Sequence, residues 1–190
     1  VAFVYVALVL IGAVALYASW AARRLDRLHA RLDAAGAALD AQLQRRAATA
    51  RAFGGVVNLE PSVAADLAAT ADAAAATSGL GRNREIAEHA LTRALSVAVV
   101  GAAERGAPAS GTALTEMHDE ALRATFARRF FNDAVRDVLV VRDRRVVRWL
   151  RLAGRAPRPA YFEMDDEELA VAQISVASGP TIEGWLTDTQ

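Results

Sequence analysis

The chain has 190 residues, 54% hydrophobic and 23% charged, with 22 basic and 22 acidic side chains and a formal charge of zero. That length suits one modest domain with a real core, and leaves too little room for two domains plus an anchor. Balanced charge argues against a general nucleic-acid binder, and the absence of cysteine excludes disulfides and thiolate metal sites. Lysine is absent, so all 22 of those cations are arginine, and 45 residues are alanine. Both are strong helix formers, and together they predict an all-α protein.

Residues 1–20 read VAFVYVALVLIGAVALYASW, without one charged side chain. As a helix this run spans about 30 Å, the thickness of a bilayer's hydrocarbon core. A signal peptide would open on basic residues and carry a shorter apolar stretch; a core helix would be amphipathic. The expectation is a single-pass transmembrane anchor over residues 1–22, with Tyr17 and Trp20 near the headgroups. Arg23, Arg24, Arg27 and Arg31 follow at once. Arginines on the C-terminal flank place that side in the cytoplasm, and Arg23, Arg24 and Arg27 are the candidate lipid-facing side chains.

The helical pattern continues past the anchor. Leu25, Leu28, Leu32, Leu39 and Leu43 make one apolar stripe, and no proline interrupts before Pro61. The first helix is therefore expected to run to about residue 51 and to break near Phe53-Gly54-Gly55. A second, alanine-rich helix reads over residues 60–78, with Pro61 in its first turn and Gly79-Leu80-Gly81 ending it. A third reads over residues 83–100 on a stripe of Ile86, Ala90, Leu91, Leu95, Ala98 and Val99. Residues 101–111 form the longest plain loop. A fourth helix opens near Thr112, where Thr112 and Thr115 are plausible caps, and could reach residue 152 before Gly154, Pro157 and Pro159.

In the fourth helix the row Leu122, Phe126, Phe130, Ala134 and Val138 predicts a core ridge packed on Leu32, Leu39 and Leu43. Four helices separated in this way predict an antiparallel four-helix bundle continuing from the transmembrane helix. The expected layout is an anchor (1–22), a bundle (23–160) and an acidic tail (161–190), poorly ordered in its second half. Charge is locally lopsided: residues 142–158 hold seven arginines against Asp143, and residues 159–190 after Arg158 hold seven acids and no base. The tail could fold back on those arginines or compete with anionic lipid for them.

Little in the chain reads as catalytic. His29, His89 and His118 lie far apart and without zinc-like spacing. There is no nucleophile elbow, phosphate-binding glycine loop or dinucleotide fingerprint. Arg84-Glu85-Ile86-Ala87-Glu88-His89 resembles the R-E-U-x-E-E helix of Nudix hydrolases. His89 replaces the last glutamate there, and the flanking glycine and glutamate are missing. A Nudix-type hydrolase is disfavoured, and neither a metal nor a cofactor is expected.

Two segments together resemble the LemA family of membrane-anchored bacterial proteins. Leu39-Asp40-Ala41-Gln42-Leu43-Gln44-Arg45-Arg46 is similar to that family's Q-(I/L)-D-V-Q-L-K-R-R stretch. Ala127-Arg128-Arg129-Phe130-Phe131-Asn132-Asp133-Ala134-Val135-Arg136 is similar to its A-R-R-F-Y-N-D-A-V signature. Pro157-Arg158-Pro159-Ala160-Tyr161-Phe162-Glu163 is a weaker echo of a K-P-x-x-Y-F-E-like segment. The resemblance covers residues 1–163 and marks a divergent member, since Ala47-Ala48-Thr49-Ala50-Arg51 stands where the family has D-L-I-P-N-L-V.

The resemblance implies a plasma-membrane anchor, a cytoplasmic helical bundle and no established catalysis. It singles out Asp40, Gln42, Arg45, Arg46, Arg128, Arg129, Asn132 and Asp133. These predict a polar network in which Asn132 or Asp133 bonds Arg45, Arg46 or Arg128 and fixes helix register, or else a patch for a partner. The expected function is non-enzymatic scaffolding or recruitment of an unknown protein at the bacterial plasma membrane. The alternative is an anionic-lipid-binding, membrane-organising module. A homo-oligomer stays open.

Overall fold

The computed structural model describes residues 1–106, 111–144 and 157–164. Four helices account for most of them: α1 (Ala2–Val56), α2 (Pro61–Ala76), α3 (Arg82–Glu104) and α4 (Thr112–Arg142). Among the described residues there is no strand. The all-helical reading of the composition holds. The expected extension of α4 to residue 152, and the acidic tail after residue 164, lie outside the described residues.

The chain divides into two compact units, and α1 and α4 contribute to both. The first comprises Val1–Leu39 and Phe126–Phe162. Its α1 segment begins as a candidate membrane span whose most apolar window is 0% buried. Phe3, Leu8, Ile11 and Leu16 all stand exposed there. Farther along, α1 turns one side onto α4: Leu25 and Val141 are buried together with Leu28 beside them. Arg31 pairs with Asp137 at 3.1 Å. Rising numbers on α1 meet falling numbers on α4, so these two segments run antiparallel.

The second unit comprises Asp40–Thr125 and Glu163–Gln190, of which residues 163–164 are described beyond α4. Its core gathers Ala47, Ala50 and Phe53 of α1, Leu67, Ala71 and Ala74 of α2, and Leu91, Leu95, Ala98 and Val99 of α3. Small alanines let the helix axes approach, which is how an alanine-rich α2 packs at all. Glu60 caps α2, its carboxylate accepting from the Ser62 and Val63 N–H groups at 2.9 and 3.2 Å. Arg51 pairs with Asp72 and Gln44 donates to the Ala75 carbonyl, so α1 and α2 also run antiparallel here. By length and composition α3 could also cross a membrane. Its buried face, which carries Arg84 and Glu88 among the leucines, marks it as a core helix instead.

α1 does not stop at the glycine pair but continues to Val56. Gly54 serves close packing there: a Cβ on it would meet Leu67 Cδ2 at 3.2 Å, whereas one on Gly55 would meet nothing within 4 Å. Gly55→Ala should therefore stabilise the protein by about 0.5–1 kcal/mol, as alanine usually does in a helix. Gly54→Ala should recover less of that or reverse it. Thermal melts in which Gly54→Ala gained as much as Gly55→Ala would show that the Leu67 contact gives way freely.

The predicted ridge on α4 is corrected by the structure. Phe126 and Phe130 are 54% and 66% exposed, and Leu122 is exposed as well. The buried row is Met117, Ala124, Phe131, Ala134, Val135, Val138 and Val141. Residues four apart on a helix rotate by about 40° per step. The row from Leu122 to Val138 therefore winds by about 160°, from an outer face to an inner one. Steps of seven, as from Met117 to Ala124 to Phe131 to Val138, hold one face. In α3 the same drift misplaces Ile86, which is exposed, while Arg84 and Glu88 occupy the buried positions.

Candidate functional site

The most concentrated chemistry among the described residues is a buried ionic network in the second unit. Arg84, Glu88 and Thr92 are four apart on α3, so their side chains rise along one face. All three are 0% exposed, and Arg46 of α1 is 2% exposed. Arg46 Nη1 donates to Glu88 Oε2 at 2.7 Å and its Nη2 to Thr92 Oγ1 at 2.7 Å. Arg84 Nε donates to Glu88 Oε1 at 3.0 Å. Thr92 in turn donates to the Glu88 carbonyl at 2.9 Å. One carboxylate is thus held between two guanidinium groups.

Arg84 reaches two further partners. Its Nη1 donates to the carbonyl of Thr77, the C-cap of α2, and lies 3.4 Å from Asp40 Oδ1. The Asp40 side chain is 41% exposed. Two arginines therefore face two carboxylates, and charge closes within the cluster. The chain's return lies against the same cluster: Glu163 N–H donates to Glu85 Oε1 at 3.0 Å, and Met164 Sδ lies 3.8 Å from Arg46 Nη1.

Chemically this arrangement binds helices. Glu88 has a cation on each oxygen and no exposed surface, so it is poorly placed to take a proton from a substrate or to hold a metal ion. Glu88 is one of the motif glutamates that in Nudix hydrolases hold magnesium; in this fold it joins α3 to α1 through Arg46. Among the described residues no three carboxylates or histidines converge as metal ligands. A cleft of about 500 Å³ in the same unit is lined largely by Phe53, Val57, Val99, Ala102 and Leu114. Gly106 and Gly111 also line it.

The residues singled out by sequence separate into several contacts. Asp40 and Arg46 join the buried cluster. Gln42 is buried and donates to Glu120 Oε2 at 2.6 Å. Arg45 and Arg129 are exposed, and Arg128 is half-buried. Asp133 is exposed and pairs with Arg136 at 3.2 Å. The expected bond from Asn132 to an arginine is replaced by a backbone clasp in the first unit. Asn132 Nδ2 donates to the Phe162 carbonyl at 3.0 Å, and the Phe162 N–H donates to Asn132 Oδ1 at 2.9 Å.

An amide side chain sets an N–H donor beside a C=O acceptor, complementary to the pair an extended residue presents, which explains an asparagine inside a helix. Phe162 is fully buried, so the chain is docked on α4 at this residue. Near the candidate membrane span, Arg23 and Arg27 are exposed, and the Arg24 guanidinium lies 5.5 Å from the centre of the Trp20 ring.

Sequence reading missed Glu88, Thr92 and Arg84 as a set. The available signal was their position: they extend the Leu91–Leu95–Ala98 stripe, where a charged pair has to be compensated. The chain matches no family model, no curated protein and no solved structure.

Proposed function

We propose that this chain is a single-pass, membrane-tethered helical protein, a divergent relative of the LemA family, that scaffolds or recruits other proteins at the inner face of a bacterial plasma membrane. In this reading the helices form an antiparallel four-helix bundle continuous with the transmembrane segment, and the C-terminal part is cytoplasmic. The observation that carries it is α1 itself. A charge-free apolar stretch passes without a break into an amphipathic one that packs on α4 in the first unit, which joins a membrane span to folded protein through one helix.

Two further features support the reading. Asn132 and Phe162, which belong to two of the segments carrying the LemA resemblance, bond each other directly. The densest ionic cluster holds a fully buried carboxylate, Glu88, between two buried arginines, which suits a structural part rather than a reaction centre. Scaffolding therefore ranks ahead of catalysis.

A reporter fused after Gln190 should be cytoplasmic, because arginines flank the C-terminal side of the apolar run. The chain should also stay with membranes through carbonate and high-salt washes and be released by detergent. Digestion of the reporter from outside intact cells would reverse the orientation. Release by carbonate would remove the tether.

A further inference from the structure

The first unit gathers cations at one end. Ala21 and Leu25 of α1 are buried, and Leu25 and Leu28 pack against Val141 near the end of α4. The end of α4 therefore comes to the level where α1 leaves its apolar stretch. Arg23 follows Trp20 by about 4.5 Å of helix and Arg27 by about 10 Å. A headgroup layer is about 5–8 Å deep on each side of the hydrocarbon, and arginine stems are long enough to reach back into it. Trp20 stacks near Tyr17, with ring centres 6.0 Å apart, and under Arg24. Such an aromatic pair favours the same layer.

Not every arginine at this end is available. Arg31 is paired with Asp137, Arg158 with Asp143 through two hydrogen bonds, and Arg142 donates to the Pro157 carbonyl. Arg23, Arg27 and Arg144 are exposed, and each lacks an acidic partner among the described residues. Asp26 is the acid nearest to them in sequence on α1, exposed and likewise without a pair. With Arg24 counted, these four arginines outnumber Asp26 by three charges.

We propose that this end of the first unit is a binding collar for anionic phospholipid headgroups, formed by Arg23 and Arg27 of α1 and Arg144 just beyond α4. It rests on the membrane placement of α1 proposed above. Guanidinium groups bind phosphate oxygens in pairs. A zwitterionic headgroup carries its own ammonium as a competitor for that phosphate, whereas phosphatidylglycerol does not. The collar therefore selects anionic lipid from the bilayer that holds the span. The collar draws on α1 and on the residues just beyond α4, so the bound lipid also bridges the two.

The test uses the full chain in lipid nanodiscs, with Trp149→Phe and Trp185→Phe so that Trp20 alone fluoresces. Trp20 quenching is compared for phosphatidylglycerol and phosphatidylcholine brominated near the headgroup, at equal mole fraction. The expected result is a preference of about threefold or more for the anionic lipid, reduced at 0.5 M salt. Arg23→Gln, Arg27→Gln and Arg144→Gln together should bring that preference to about one at unchanged helical circular dichroism. The corresponding arginine-to-lysine triple, which keeps the charge, should retain part of it. Equal quenching by the two lipids in the parent, or a preference that survives the glutamine triple, overturns the collar while leaving the span in place. No quenching by either lipid overturns the membrane placement and the collar with it.

Discussion

Glu88→Ala is expected to cost about 3–5 kcal/mol, a large share of the stability of a domain this size. Removing the carboxylate leaves two guanidinium groups at 0% and 2% exposure without the anion between them. Asp40 does not take its place, because it meets a different nitrogen of Arg84 and is partly in water. Arg46 keeps Thr92 among its partners, but a neutral hydroxyl does not replace the lost carboxylate. Urea unfolding of the full chain in detergent micelles, followed by helical circular dichroism, measures the change. A loss under about 1 kcal/mol would mean that water reaches the cluster and that the pairs count as surface pairs.

The same network makes a second, opposite expectation. Replacing Arg46, Glu88 and Arg84 together by methionine, leucine and methionine removes the desolvation of all three charges along with their attraction. Such replacements are often neutral or stabilising. The triple variant should therefore be more stable than Glu88→Ala alone, although it carries two more substitutions. Some loss is expected even so, because Arg84 also holds the Thr77 carbonyl at the end of α2. Additive losses across the three sites would show that the members act independently, contrary to the geometry of one shared carboxylate.

Composition was a good guide to helical content, and punctuation a good guide to helix ends. Pro61, Gly79-Leu80-Gly81 and Thr112 each lie within a residue or two of an observed boundary. Glycine was less informative at Gly54-Gly55, because a glycine that stops a helix and one that lets Leu67 approach look alike in a string. Burial was harder to read. Rows of residues four apart look continuous on paper, yet they wind around the helix, which is why Ile86, Phe126 and Phe130 turn outward. The polar contacts were legible as a set of residues but not as pairs. Asn132 was visible as an anomaly in a helix; its partner is a backbone thirty residues away, and no side-chain pattern records that. Glu88 was hidden by a local string that resembles a catalytic helix, while its position on the leucine stripe pointed to the core.

Two phenylalanines should respond very unequally to the same change. Phe53 is 2% exposed in the core of the second unit, among Leu67, Ala98 and Val99. Phe53→Ala removes a whole ring from a close-packed interior and should cost about 3–5 kcal/mol. Phe130 is 66% exposed, so little transfer free energy is lost with its ring, and Phe130→Ala should cost under about 1 kcal/mol. Helix propensity even favours alanine at that exposed position. The comparison separates the two rows on α4 by experiment, since a four-residue ridge would make Phe130 a core residue and a seven-residue seam leaves it outside. If Phe130→Ala proves as costly as Phe53→Ala in the full chain, its ring is covered by a contact that exists in solution. The oligomeric state of that variant, measured beside the parent, would then show whether the cover is a second copy: loss of a dimer together with the lost stability identifies it.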